Sequence, residues 1–125
     1  MIGSLMTQRI LAVIDNDPGM LKALNRLLKA HGFVVYAFDS AEAFLVSGIA
    51  GQASCLVLDI HLDGMSGLEL RRELTRTGVA IPVIFVTAYD SLASKEQAQE
   101  VGCIAYLLKP FEASALLKAI EKSTP

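Results

Sequence analysis

Five short apolar runs are spaced along the chain, at residues 10–14, 33–38, 55–58, 83–86 and 104–108, and each is followed by a segment of helical character. Runs this short and this apolar suit strands buried on both faces of a parallel sheet. Four of them end in a polar signal: Asp15-Asn16-Asp17, Asp59, Thr87-Ala88 and Lys109-Pro110. The strand C-termini of a parallel sheet line one edge, and ligands bind along that edge.

The segments between the runs carry helix signals. Pro18 suits a first helical turn, Leu21, Leu24, Leu27 and Leu28 form one apolar face, and Gly32 marks the stop. Ser40 is a natural N-cap, with Glu42 in the first turn, for a short helix carrying Ala43, Phe44 and Leu45. Residues 48–54 read as a loop and residues 63–67 as a turn. Ser66 then caps a helix with Leu68, Leu70 and Leu74 inside and Arg71, Arg72 and Arg76 outside. Gly78 and Pro82 bracket the next loop. A fourth helix runs from Ser91 to Val101 and ends at Gly102; a fifth, over residues 112–122, offers Ala113, Leu116, Leu117 and Ile120 as its stripe.

Strand and helix alternate five times with no internal repeat, low-complexity tract or linker. Right-handed crossovers then favour an α/β fold with an open, doubly wound, five-stranded parallel sheet in the order 2-1-3-4-5. That order places the first and third strands at the switch point and brings Asp15, Asn16 and Asp59 together. An eight-unit barrel needs about twice this length.

Composition narrows the reading further. At 125 residues the chain fits one domain with a real core, and its hydrophobic share of 53% and mean hydropathy of +0.47 suit a sheet covered on both sides. No stretch approaches the roughly 18 uninterrupted apolar residues of a membrane span, so no membrane partner is expected. Residues 1–8 lack the pattern of a secretory signal and read as a disordered lead-in to a domain over residues 9–122. The formal charge of −2 gives no electrostatic reason for this domain to bind nucleic acid. Cys55 and Cys103 form no metal signature and read as free thiols of a cytoplasmic protein.

Asp59 is the leading chemical candidate. A carboxylate at a central strand end, facing a solvated crevice, can act as a nucleophile toward phosphorus. Both partners being anionic, the reaction needs charge compensation. Mg²⁺ could supply it, held by Asp15 and Asp59 and at least one carbonyl oxygen. Lys109 offers a mobile cation for phosphoryl oxygens and Thr87 a short hydroxyl donor.

The ordered set of residues 10–18, 56–67, 86–88 and 106–111 resembles the response regulator receiver domains of two-component signalling, the CheY-like fold. The run from Asp39 through Glu42 to Leu45 also resembles, loosely, the FixJ/NarL branch. The resemblance implies that Asp59 accepts a phosphoryl group from a phosphohistidine on a sensor histidine kinase or phosphotransfer protein. It implies Mg²⁺ held by Asp15, Asn16, Asp59 and the backbone carbonyl of His61. Thr87, with Ala88 beside it, corresponds to the switch hydroxyl, Lys109 to the lysine that pairs with the phosphoryl group, and Tyr106 to the switch aromatic. Pro110 would follow a cis peptide bond. The family's behaviour is that of a self-phosphorylating switch with weak autodephosphorylation rather than a turnover enzyme. The surface of the fourth helix, fifth strand and fifth helix would change on phosphorylation and could serve a homodimer. A transcription factor with a following DNA-binding domain is the output that the FixJ/NarL likeness suggests.

The chain departs from the family pattern at Asn16, where the second acid usually stands. An amide oxygen can coordinate Mg²⁺ but brings no charge, so metal binding weaker than the family's is expected. Asp17 can compensate or can cap the first helix beside Pro18. Asp63 stands where proline is common, and His61 is either a solvated loop histidine or a residue that changes how water reaches an acyl phosphate. Two alternatives follow. One is a pseudo-receiver, a binding module whose metal site Asn16 has impaired. The other is a haloacid-dehalogenase-like phosphatase using Asp15 and Asp17, for which the later acidic metal motif and a cap domain are missing.

Overall fold

The computed structural model describes residues 9–123. Five strands, β1 (Ile10–Ile14), β2 (Val34–Phe38), β3 (Cys55–Asp59), β4 (Val83–Thr87) and β5 (Ala105–Leu108), form one parallel sheet in the order β2-β1-β3-β4-β5. The crossovers are α1 (Pro18–Ala30), α2 (Ala41–Ser47), α3 (Gly67–Arg76), α4 (Leu92–Val101) and α5 (Ala113–Lys122). This is the α/β architecture and strand order expected from the alternation of runs.

The three central strands are apolar at nearly every position because both of their faces are covered. Ala12, Ile14, Leu56, Leu58 and Phe85 pack with Phe44, Leu70 and Leu74 on one side. Leu11, Val13, Val57, Ile84 and Val86 pack with Leu24, Leu28, Leu116 and Ile120 on the other. The alternation along each strand sends successive side chains to opposite layers. Full burial of one such leucine stabilises the fold by about 1.5–3 kcal/mol. The edge strand β2 is only half-covered, and Tyr36 on it is exposed.

Capping fixes where the helices start. Asp17 Oδ1 accepts from Gly19 N at 3.0 Å ahead of α1, and Ser40 Oγ from Ala43 N at 3.0 Å ahead of α2. Ser66 and Glu69 form a reciprocal capping box at α3, with bonds of 3.1 and 2.9 Å. Ser91 Oγ caps α4 through Ser94 N at 3.0 Å.

Several local expectations are corrected. The loop over residues 48–54 holds a short 3₁₀ turn, Ile49–Gly51, and Ile49 joins the core. In α2 the buried positions are Ala41 and Phe44, whereas Ala43 faces solvent. In α5 Ala119 takes the inward place expected of Ala113. Arg71 is not simply outside: its Nε donates to the Gly102 carbonyl at 3.0 Å, tying α3 to the end of α4. The second and fifth strands begin one residue later than expected, at Val34 and Ala105. The expected lead-in over residues 1–8 lies outside the described residues.

Both cysteines are free. Burial pushes the Cys55 thiol up to about 11 and also raises that of Cys103, so neither is a ready nucleophile. Among the described residues no helix is long and apolar enough to cross a membrane.

Candidate functional site

The sheet register aligns the strand ends. Ile14 pairs with Phe38 and Leu58, Asp59 with Val86, and Thr87 with Leu108. Asp15 continues the ladder one step beyond β1, its N–H donating to the Phe38 carbonyl at 3.1 Å. Lys109 does the same beyond β5 through a 2.8 Å bond to the Thr87 carbonyl. Asp15, Asp59 and Lys109 therefore converge at the C-terminal edge, on the floor of a cleft of about 480 Å³. Asn16, His61, Ala88 and Tyr89 line the same cleft.

Lys109 links the two acids. Its Nζ lies 2.6 Å from Asp15 Oδ2 and 3.0 Å from Asp59 Oδ2. The remaining carboxylate oxygens are held by backbone: Asp15 Oδ1 accepts from Asp17 N at 2.9 Å, and Asp59 Oδ1 from His61 N at 3.0 Å. Both carboxylates are buried, at 0% and 5% exposure. Burial raises the Asp59 carboxyl above its usual range; Lys109 and the His61 N–H pull it back, and the charge of Asp15 pushes it up again. For Lys109 burial acts downward, but the bonds to Asp15 and Asp59 outweigh it, and the ammonium stays charged above its usual range.

Gly67 makes this packing feasible. A Cβ there would sit 2.2 Å from the Asp59 carbonyl oxygen, so only glycine lets α3 start against the end of β3. The Lys109–Pro110 peptide bond is cis.

Not every expected residue reaches the cleft. Thr87 is wholly buried, and its hydroxyl is engaged by Tyr89, accepting from the Tyr89 N–H at 3.1 Å and lying 3.2 Å from the Tyr89 carbonyl. The Tyr106 hydroxyl lies 3.4 Å from Asp90 Oδ1, outside the cleft. Burial and then the Asp90 charge raise that phenol above its ordinary range. Asp17 caps α1, which engages the acid on which the phosphatase-like reading depended. Sequence reasoning missed Tyr89, whose ring meets His61 edge-to-face at 5.2 Å between centroids. Its place two residues past Thr87 was the available signal. The bond from Met65 N to Glu42 Oε2, 2.8 Å, was also unforeseen, because the two residues are far apart in sequence.

Among the described residues no three His, Cys, Asp or Glu side chains converge as a metal cluster. The available donors are two carboxylates, the Asn16 amide and backbone carbonyls. Such hard oxygen donors fit Mg²⁺ in kind, with one carboxylate charge fewer than three acids would bring.

The profile of the family described as response regulator receiver domain matches residues 11–121. The chain belongs to that family. Receiver domains are the signalling switches of two-component response regulators. Nodulation protein W of Bradyrhizobium diazoefficiens is 37% identical over 118 residues, covering 94% of this chain and 52% of that protein. The transcriptional regulatory protein FixJ of Rhizobium meliloti is 32% identical over 119 residues, covering 95% of this chain and 58% of its own. This receiver spans about half the length of the curated relatives it matches. Among solved structures, that of the response regulator StyR superposes with a TM-score of 0.86 at 40% identity, covering 94% of this chain and 59% of that one.

Proposed function

We propose that this receiver accepts a phosphoryl group on Asp59 from a phosphohistidine of a sensor histidine kinase or phosphotransfer protein. The observation that carries the reading is the single ammonium of Lys109 between the buried carboxylates of Asp15 and Asp59, at the floor of a solvated cleft. In the transfer, an Asp59 oxygen forms a bond to phosphorus, the donor's P–N bond breaks, and the released imidazole nitrogen takes up a proton. The His61 N–H holds Asp59 Oδ1, which orients the carboxylate and leaves Oδ2 beside Lys109. Lys109 leaves Asp15 and Asp59 only partly neutralised before transfer and pairs with the phosphoryl oxygens after it.

Mg²⁺, held by Asp15, Asn16, Asp59 and the His61 carbonyl, would supply further neutralisation of the anionic partners. Its binding is weaker than a three-acid site would give. Thr87 and Ala88 read the phosphoryl group once Thr87 gives up its bonds to Tyr89. Tyr106 responds to that movement, and the α4-β5-α5 face changes. Exposed Leu92 of α4 and Leu108 of β5, at 74% and 44%, support a homodimer or partner contact there. Cytoplasmic location fits a kinase-fed switch, and a transcriptional output fits the named function of FixJ.

Incubation with acetyl phosphate and Mg²⁺ tests this. Wild-type protein gains the mass of one phosphoryl group and Asp59→Ala does not. No gain in wild type, or the same gain in both, would overturn the assignment.

Asn16 favours one second reading, a pseudo-receiver that adopts a single state without phosphate. Saturable Mg²⁺ binding in the wild-type protein argues for the switch and its absence for the scaffold.

A further inference from the structure

Glu42 is remote in sequence from the residues of the cleft and does not line it, yet its carboxylate bonds the segment that carries Asp63 and Ser66 of the cleft wall. It stands in the first turn of α2, where the helix N-terminus favours an anion. Its Oε2 accepts from the backbone N–H of Met65 at 2.8 Å. A second observation points to the same close fit: Gly64 has φ +73°, and a Cβ there would lie 2.6 Å from Glu42 Oε2. The carboxylate thus rests directly on the backbone at residues 64 and 65, over a glycine whose conformation L side chains rarely adopt.

The segment between β3 and α3 supplies His61, Asp63 and Ser66 to the cleft wall. Its two ends are fastened. His61 N donates to Asp59 Oδ1, and Gly67 N donates to the Ile60 carbonyl at 2.9 Å. Glu42 fastens Met65, just ahead of the Ser66 cap of α3, from a different element, through a charge-assisted bond of the kind that is shorter and stronger than a neutral one.

We propose that Glu42 is a positioning residue for the β3–α3 segment: its bond to Met65 holds the cleft wall, and with it the His61 backbone, in the geometry that Mg²⁺ and the phosphoryl donor meet. The inference rests on the reading of Asp59 as acceptor for its consequence, though not for its geometry. Glu42 touches neither Asp59 nor Lys109, so its loss leaves the acid and the ammonium in place.

The test compares the wild-type chain with Glu42→Gln, Glu42→Ala and Gly64→Ala. Amide hydrogen exchange at Met65 and His61 is read without any phosphoryl donor, and Mg²⁺ is titrated by the amide shifts of residues 60–66. Loss of one such bond is expected to speed Met65 exchange by about tenfold in Glu42→Ala, with slow-exchanging β3 and β4 amides unchanged. The Mg²⁺ concentration for half-saturation rises severalfold in the same variant. Glu42→Gln keeps an accepting oxygen but loses the charge assistance, so both readouts fall between those of wild type and Glu42→Ala. Gly64→Ala displaces Glu42 and copies the alanine phenotype, and adding Glu42→Ala to it makes Met65 exchange no faster. Unchanged Met65 exchange in Glu42→Ala, or a glutamine variant as impaired as the alanine one, overturns the proposal. Wild-type protein that binds no Mg²⁺ and takes no phosphoryl group would instead overturn the proposed function, while the exchange at Met65 still judges the role of Glu42.

Discussion

Lys109 Nζ stands 3.0 Å from Asp59 Oδ2, and because the same ammonium also reaches Asp15, one cation serves two buried carboxylates. The cluster keeps a net negative charge on two carboxylates that are themselves buried at the floor of the cleft. Removing a carboxylate and removing the lysine should therefore move stability in opposite directions. Asp59→Asn is expected to raise the urea midpoint at neutral pH. Lys109→Met leaves two acids without their donor and is expected to lower stability by about 1–3 kcal/mol. Denaturation of both variants checks this; a loss of stability in both would contradict the shared-cation account.

The pH dependence follows from the directions of the shifts. The folded carboxyl of Asp59 lies above its ordinary value of 3.8. Its contribution to stability is fully present below the unfolded value and is lost as pH rises through the raised folded value. Lys109 is likewise raised, above 10.5, so its contribution holds through neutral pH and is lost only in strong alkali. Wild type measured against Asp59→Asn should therefore lose relative stability on moving from below pH 3.8 toward neutrality. A difference that stays flat over that range would show that the shift is absent.

Asn16 lines the cleft beside the two acids but carries no charge. Asn16→Asp would restore a third carboxylate to the donor set. Mg²⁺ affinity is expected to rise by about tenfold, the equivalent of roughly 1.4 kcal/mol. Calorimetric titration of both proteins reads it, and equal affinities would remove Asn16 as the cause of weak metal binding.

The edge-to-face pair of His61 and Tyr89 lies on the rim of the cleft. Such pairs contribute about 0.5–1.5 kcal/mol beyond their buried area. Tyr89→Ala breaks the pair and opens the approach to Asp59. Labelling by acetyl phosphate and loss of the phosphoryl group should then both accelerate by about two- to tenfold, as that energy implies. Mass spectrometry over a time course measures both rates, and unchanged rates would mean that the pair does not restrict access.

The parts of the molecule that were legible beforehand are those set by local chemistry. Continuous apolar runs identified β1, β3 and β4 because both faces of those strands are covered, and Ser40, Ser66 and Ser91 marked helix starts because their hydroxyls replace missing backbone partners. Asp15, Asp59 and Lys109 were recognisable because a parallel sheet gathers its strand ends on one edge. What escaped depends on contacts between distant segments. Glu42 has its partner 23 residues away, Arg71 bonds a carbonyl across the α3–α4 boundary, and Ile49 fills a gap in the core from within a loop. The state of Thr87 was also hidden, since only the turn that follows it shows that Tyr89 holds its hydroxyl.

A crystal structure with Mg²⁺ and beryllofluoride decides whether Asp59 is the acceptor in a site read by Lys109. Beryllofluoride is expected on an Asp59 carboxylate oxygen, with Lys109 Nζ against a fluoride and Mg²⁺ on Asp15, Asp59, the Asn16 amide and the His61 carbonyl. Beryllofluoride on Asp15 or Asp17, or on no side chain while Lys109 keeps its bridge, would contradict it.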